Sequence, residues 1–217
     1  PEHYEDRLWT HVIKPFQPPA NWTYYRSFDW GSNRPFSVGW WAVDFDGRLY
    51  RILELYGCTN EPNVGVRWTA DQVFAEVARI EHEHPYLKGR QIRGVADPAI
   101  WSTDPSGHSI VEFAFAHGLQ FKQATNDRIN GWAQVQYRLQ FDEDGRPRLY
   151  VFENCKAFRR TIPLMMYDEN RVEDIDTDLE DHIADETRYM CMEYVVKPMA
   201  APAREVKMLD PLEDNWD

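Results

Sequence analysis

Three aspartates that lie far apart in the sequence each occupy a place from which an element of secondary structure would carry a carboxylate into a shared site. Asp29 and Asp97 each end a short apolar run, and Asp185 lies in the helical stretch 179–194. Carboxylate oxygens suit hard cations such as Mg²⁺ and Mn²⁺, and a bound cation offsets the repulsion among them. Two such ions can activate water and stabilise a leaving oxygen in phosphodiester hydrolysis. The pattern therefore predicts a divalent-metal site of the kind that nucleases use.

Two neighbours of Asp185 are further candidates. Asp181 lies four residues earlier, on the same helical face, so it would join the metal ligands directly or through water. The alternative is a carboxylate near a helix amino terminus, where the helix dipole favours negative charge. His182 would lie behind the ligands or act as a general acid or base.

Other readings of these residues stay open from the sequence. A single aspartate at a strand end is commonly a turn or capping residue, but all three aspartates fit one topology, which favours the metal site. The run 81–84, Glu-His-Glu-His, has zinc-binding side chains, yet it lacks a partner motif and is more typical of a solvated helix end. Tryptophans would stack on bases or, more commonly, fill the core: Trp30, Trp40, Trp41 and Trp132.

Composition predicts one domain. The 217 residues are 43% hydrophobic and 14% aromatic, enough for one well-filled core. No apolar stretch approaches the ~20 residues of a membrane span, and the amino terminus lacks a signal-peptide pattern, so we expect a soluble intracellular protein. The isolated residues Cys58, Cys155 and Cys191 are expected to be reduced thiols.

The net charge of −12 argues against coating of nucleic acid by bulk electrostatics. The middle of the chain is nevertheless basic, whereas residues 168–186 are strongly acidic. Basic side chains of this region are candidates for phosphate contacts, the alternative being surface solvation with local ion pairs. The candidates are Lys122, Arg128, Arg138, Lys156, Arg159 and Arg160.

Turn and periodicity signals divide the chain into an arm (residues 1–22), a domain (23–195) and a polar tail (196–217). Alternating apolar patterns and turn residues predict strands at 24–30, 36–44, 48–56, 91–97, 119–124 and 148–152. Caps and helical spacing predict helices from the capping box at Thr69–Gln72 to before Pro85, and at 109–117, 127–139, 155–161 and 179–194.

This order of elements is that of a ribonuclease H-like α/β fold, in which three antiparallel strands are followed by parallel additions to a mixed central sheet flanked by helices. It places Asp29 on the central strand and Asp97 at the end of a neighbouring strand. Both carboxylates are then expected at one edge of the sheet.

Three motifs in this order resemble the nuclease motifs of the large terminase subunits of tailed bacteriophages, and the resemblance covers residues 24–194. They are Phe28–Asp29–Trp30–Gly31, Ala96–Asp97–Pro98–Ala99 and Asp181–His182–Ile183–Ala184–Asp185–Glu186–Thr187–Arg188–Tyr189. Segments 126–132 and 152–155 also look like the region that this family has between its second and third motifs. Since the chain has no GxxxxGK[ST] phosphate loop, the resemblance implies the nuclease half of a packaging motor, without its amino-terminal ATPase.

The resemblance implies an endonuclease that cuts double-stranded viral DNA with little sequence preference in the cytoplasm of an infected host. Asp29, Asp97 and Asp185 would hold two Mg²⁺ or Mn²⁺ ions about 3.5–4 Å apart. The expected partners are DNA, the portal protein and the small terminase subunit. The alternatives are another ribonuclease H-like nuclease, of the junction-resolvase or transposase type, and a non-catalytic module that grips DNA or docks the motor. The tail, with Leu209, Leu212 and Trp216, is either a docking segment or solvated and disordered.

Overall fold

The computed structural model describes residues 11–166 and 179–195. The first ten residues of the predicted arm, the acidic stretch 168–178 and the predicted tail 196–217 lie outside the described residues. The division into arm, domain and tail therefore stays a prediction. Within the described residues, no helix is both long enough and apolar enough to cross a membrane.

The described residues form a mixed sheet whose strands were largely predicted. The strands are β1 (Val12–Ile13), β2 (Thr23–Asp29), β3 (Ser37–Val43), β4 (Leu49–Tyr56), β5 (Ile92–Ala96), β6 (Lys122–Gln123) and β7 (Leu149–Phe152). Their spatial order is β1-β7-β4-β3-β2-β5-β6. The first three long strands, β2 to β4, are antiparallel, whereas β5, β6 and β7 join in parallel. This topology confirms the predicted ribonuclease H-like fold.

The helices also match the sequence signals. They are α1 (Ala70–Glu83), α2 (Ile110–Ala116), α3 (Arg128–Leu139), α4 (Lys156–Thr161) and α5 (His182–Glu193), with short 3₁₀ helices at Pro98–Trp101 and Ile162–Leu164. The capping box that starts α1 is formed as predicted, since Thr69 Oγ1 accepts from the Gln72 amide while the Gln72 side chain accepts from the Thr69 amide.

The centre of the sheet is buried on both faces. Every residue of β3 is buried, and Trp40 and Trp41 are 0% exposed. A strand covered on both sides has no polar face, which is why the residues of β3 read as a continuous apolar run. Trp132 is also buried, at 6% exposed. The core interpretation is confirmed for Trp40, Trp41 and Trp132, whose burial excludes base stacking, whereas Trp30 is partly buried and packs against the core.

Helix α5 lies close to the sheet because glycines face it. A Cβ atom added to Gly39 of β3 would lie 2.2 Å from Oε1 of Glu186, and one added to Gly131 of α3 would lie 2.6 Å from Cγ of Arg188. A larger residue at either position would force the Glu186 or Arg188 side chain, or the helix that carries it, to move. The two glycines thus allow the close approach of α5 to β3 and to α3.

Two edge strands differ from the predictions. Residues 1–22 were expected to be a linker or an arm lying on the domain, without a strand, but β1 pairs in parallel with β7, and the Val151 amide donates to the carbonyl of His11. β1 ends before Pro15, so this proline does not interrupt its ladder. β6 is shorter than expected because it pairs only with Val95 and Ala96 of β5. The three cysteines are free thiols, as predicted.

Candidate functional site

The ends of two neighbouring strands bring Asp29 and Asp97 together. β2 and β5 are parallel, with Phe28 paired to Ala96, and the Asp97 amide donates to the Phe28 carbonyl at 3.0 Å. Parallel strands end at the same edge of a sheet, so the two carboxylates emerge there side by side. Asp97 also caps the 3₁₀ helix that follows, since its Oδ1 accepts from the Ala99 amide at 3.0 Å.

Helix α5 adds Asp185 to this edge. Asp29 is only 6% exposed, and burial raises its pKa well above the ordinary value. The negative charges of Asp185, Asp97, Asp181 and Glu186 raise that pKa further, in this order of size. The fold therefore gathers carboxylates that repel one another around a buried member, an arrangement that a bound cation would relieve.

Asp181 occupies the N-cap position of α5, as the capping alternative predicted, but its side chain makes no capping hydrogen bond. It is buried, and this burial together with the charge of Asp185 raises its pKa to about 6, although His182 and Arg128 oppose the shift. The side chain is thus drawn into the acidic cluster, where the metal interpretation would place it.

His182 lies against Asp29 rather than against Asp185. Its Nδ1 is 3.1 Å from Oδ2 of Asp29. Burial lowers the pKa of the imidazole, while the charges of Asp181 and Asp185 act in the opposite direction. A neutral imidazole with its proton on Nδ1 would donate to Asp29 and fix the direction of that carboxylate. The role of His182 behind metal ligands stays a prediction.

Two arginines hold the carboxylate of Asp185. Nη1 of Arg128 lies 3.2 Å from its Oδ1 and 3.1 Å from its Oδ2, and Nε of Arg188 lies 3.0 Å from Oδ1. From the sequence, Arg128 was expected to contact phosphate, and no role was predicted for Arg188. The signal was available, because Arg188 follows Asp185 by three residues, the spacing at which helical side chains pair.

Glu186 is a second residue that sequence reasoning missed. Its carboxylate is completely buried and accepts hydrogen bonds from three strands of the sheet, through Ser27, Ser37, Trp41 and Arg51. Ser27 precedes Asp29 by two residues, and Ser37 is the register partner of Asp29. Glu186 thus ties the helix that carries Asp185 to the strand that carries Asp29. A glutamate in a charged helical motif gives no sequence signal of such burial.

The donor set fits a hard divalent cation. Asp29, Asp97, Asp181 and Asp185 offer only oxygen ligands, as Mg²⁺ and Mn²⁺ require. Within residues 11–166 and 179–195, however, no three His, Cys, Asp or Glu side chains surround one point as preformed ligands. Guanidinium groups instead balance the charge of Asp185. Metal binding at this edge would therefore require rearrangement of side chains.

The predicted basic residues are distributed differently from the expectation. Arg138 is 0% exposed and donates to the backbone carbonyls of Gly47 and Tyr194, so the prediction that it contacts DNA is wrong. Its aliphatic stem belongs to a helix face that packs inward, which composition does not reveal. Lys122 pairs with Glu193 and Arg160 with Glu180, whereas Lys156 and Arg159 lie on the surface.

The Glu-His run at the end of α1 has structural roles. Glu81 accepts from Arg26 at 2.6 Å and from Trp40 at 2.8 Å, and Glu83 pairs with Arg79. Glu81 is thus engaged with the sheet rather than solvated, which corrects that part of the expectation. Across the part of the chain that the structure describes, this run forms no group of three potential metal ligands.

The sequence matches no protein-family model and no curated protein. Solved structures do match. The nuclease domain of the P22 large terminase is 20% identical and superposes with a TM-score of 0.65 over 85% of this chain and 87% of that domain. The large terminase of the thermophilic bacteriophage D6E, in complex with ADP, is 22% identical with a TM-score of 0.63, over 84% of this chain but 42% of that protein.

The large terminase nuclease of the thermophilic phage G20c, solved with bound cobalt, is 11% identical and has a TM-score of 0.55 over 87% of this chain and 96% of that one. At these identities, the likeness concerns the fold. The chain spans less than half of the D6E protein and nearly all of the two nuclease domains. It therefore has the ribonuclease H-like fold of the large-terminase nuclease domains, the family whose motifs its sequence resembles.

Proposed function

We propose that this chain is a divalent-metal-dependent endonuclease that cuts double-stranded viral DNA, with little sequence preference, during genome packaging. The observation that carries the proposal is the gathering of acidic side chains at the shared end of β2 and β5 around the buried Asp29, whose pKa their charges raise. Burying carboxylates together costs free energy unless something offsets their charge. A fold shared with terminase nuclease domains, one of them solved with bound cobalt, supports a divalent cation in that role.

Asp29, Asp97 and Asp185 are the proposed ligands, with Asp181 as a further one. The metal is Mg²⁺ or Mn²⁺, with two ions expected, and when bound it supplies an activated water and stabilises the leaving oxygen. The chain's own side chains prepare the site: His182 directs Asp29, Arg188 directs Asp185, and Glu186 holds α5 against the sheet.

The proposed partners follow from the motor in which large terminases act. They are an amino-terminal ATPase domain, the portal protein and the small terminase subunit, and the place of action is the cytoplasm of an infected host. Because the net charge is −12, DNA binding by the chain alone should be weak and sensitive to salt. Exposed cations such as Lys156 and Arg159 are the candidates for phosphate contacts.

The test is cleavage of supercoiled plasmid by the purified chain with Mn²⁺ or Mg²⁺. We expect nicked and linear products that disappear with chelator and in Asp29→Asn, Asp97→Asn and Asp185→Asn. Asp71→Asn is the matched control, because Asp71 is an exposed aspartate on α1 that pairs with His117. Metal-dependent cutting that survives in all three cluster variants would contradict the assignment of the site. Absence of both cutting and metal binding in the parent would favour a non-catalytic module.

A further inference from the structure

The two arginines that contact Asp185 are held very differently. The Arg188 side chain is 0% exposed, and its guanidinium lies 4.7 Å from the centre of the Tyr189 ring. Its stem packs so closely on Gly131 that a Cβ there would lie 2.6 Å from Cγ. Of the two carboxylate oxygens of Asp185, which lies three residues earlier on the same helix, the Nε of Arg188 contacts Oδ1. Arg188 is therefore a fixed support.

Arg128 approaches Asp185 from another helix and from the solvent side. It is the first residue of α3, and its side chain is 25% exposed. Its Nη1 lies against both carboxylate oxygens, at 3.2 Å from Oδ1 and 3.1 Å from Oδ2. Any cation that comes to Oδ2 therefore meets the Arg128 guanidinium. Arg128 is thus more accessible to solvent than Arg188, although its guanidinium also lies 5.7 Å from the centre of the Trp132 ring.

We propose that Arg128 competes with the divalent cation for Asp185 and so restrains loading of the metal site. The inference rests on the proposed function and deepens it by naming the residue that regulates metal binding. The physical reason has two parts. The guanidinium uses the oxygen lone pairs that the cation needs, and its positive charge repels a cation bound nearby. Metal binding thus includes the work of moving Arg128 aside.

The expected effect is measured by calorimetric titration of the whole chain with Mn²⁺. Arg128→Met should bind Mn²⁺ about tenfold more tightly than the parent, because a partly exposed ion pair and a cation–cation repulsion at short range are both removed. Arg128→Lys should bind with intermediate affinity, because an ammonium keeps the charge but lacks the planar fork of the guanidinium.

The matched control is Arg79→Met, which removes the same charge from an exposed helical arginine that pairs with Glu76 and Glu83, outside the acidic cluster. It should leave the affinity for Mn²⁺ at the parent value. A tenfold gain in this control as well would overturn the inference, because the effect would then be one of net charge.

Melting in chelator identifies any variant that fails to fold, and Arg128→Lys decides the question if Arg128→Met is unfolded. Equal affinity in the parent and in the folded Arg128 variants, or weaker binding by the variants, contradicts the competition while leaving the proposed metal site intact. If Mn²⁺ binds to none of the proteins, the proposed metal-dependent function fails and the role of Arg128 fails with it.

Discussion

Removing the buried charge of Arg51 should destabilise the chain far more than removing that of Glu186, and the second change should partly repair the first. The two groups form an ion pair at 2.6 Å in which both side chains are 0% exposed. Arg51 has a further carboxylate partner, Glu54, at 3.5 Å, whereas among the described residues the cationic partner of Glu186 is Arg51 alone.

The magnitudes follow from this asymmetry. Arg51→Met leaves Glu186 as an uncompensated buried charge, which costs about 3 to 5 kcal/mol of unfolding free energy. Burial raises the pKa of Glu186 despite Arg51, which shows that its charge is expensive to bury. Glu186→Gln removes that charge and keeps an acceptor for Ser27 and Trp41, so we expect a cost of about 1 kcal/mol.

The double variant should then be more stable than Arg51→Met, by about 1 to 2 kcal/mol, with a coupling energy of about 2 to 3 kcal/mol. The assay is urea unfolding at neutral pH in the presence of chelator, followed by the fluorescence of the buried tryptophans. In the exposed pair of Arg79 and Glu83, the effects of Arg79→Met and Glu83→Gln on the free energy of unfolding should be additive. Additivity within about 0.5 kcal/mol at Arg51 and Glu186 would refute the reasoning.

Three further predictions concern Asp29, Gly39 and the pair Arg138 and Lys156. Asp29→Asn should raise the melting temperature in chelator, because a carboxyl whose pKa is raised in the folded state destabilises that state once the carboxyl is ionised. The same substitution should abolish stabilisation by Mn²⁺. A lower melting temperature of the variant in chelator would contradict the prediction. Gly39→Ala should lower the free energy of unfolding in urea by about 1 to 3 kcal/mol, since its Cβ would lie 2.2 Å from Oε1 of Glu186. An unchanged free energy of unfolding would show that α5 moves aside at little cost. Arg138→Met should lower the melting temperature without changing the salt dependence of DNA binding. Lys156→Met should reduce the salt dependence of DNA binding and leave the melting temperature unchanged. The reverse pattern in a binding titration would restore Arg138 as a DNA contact.

The sequence predicts most of the fold because its local signals agree with one another. Asp46–Gly47, a pair typical of hairpin turns, lies at a turn with Gly47 at a φ of 77°, and the capping box at Thr69 starts α1. The strands β2 to β5 are found within a residue or two of their predicted limits. The short edge strand β1 was missed because two residues carry no periodicity, and it forms only where β7 offers a ladder.

The carboxylates of the site could be predicted from the sequence, but the buried charged residues that support them could not. Asp29 and Asp97 lie at adjacent strand ends because topology alone puts them there. The roles of Glu186 and Arg138 depend on which helix face turns inward, and a charged residue in a sequence reads as a surface residue. Their burial is decided by tertiary packing, through contacts such as that of Glu186 with Gly39 of the sheet.

The most direct test of the proposed metal site is a crystal of the whole chain soaked in Mn²⁺ and measured for anomalous scattering. We expect a peak bounded by the carboxylates of Asp29, Asp97 and Asp185, with the guanidinium of Arg128 displaced from Asp185. The absence of a peak at the shared end of β2 and β5 under saturating Mn²⁺, with Arg128 still against Asp185, would contradict the metal-dependent nuclease.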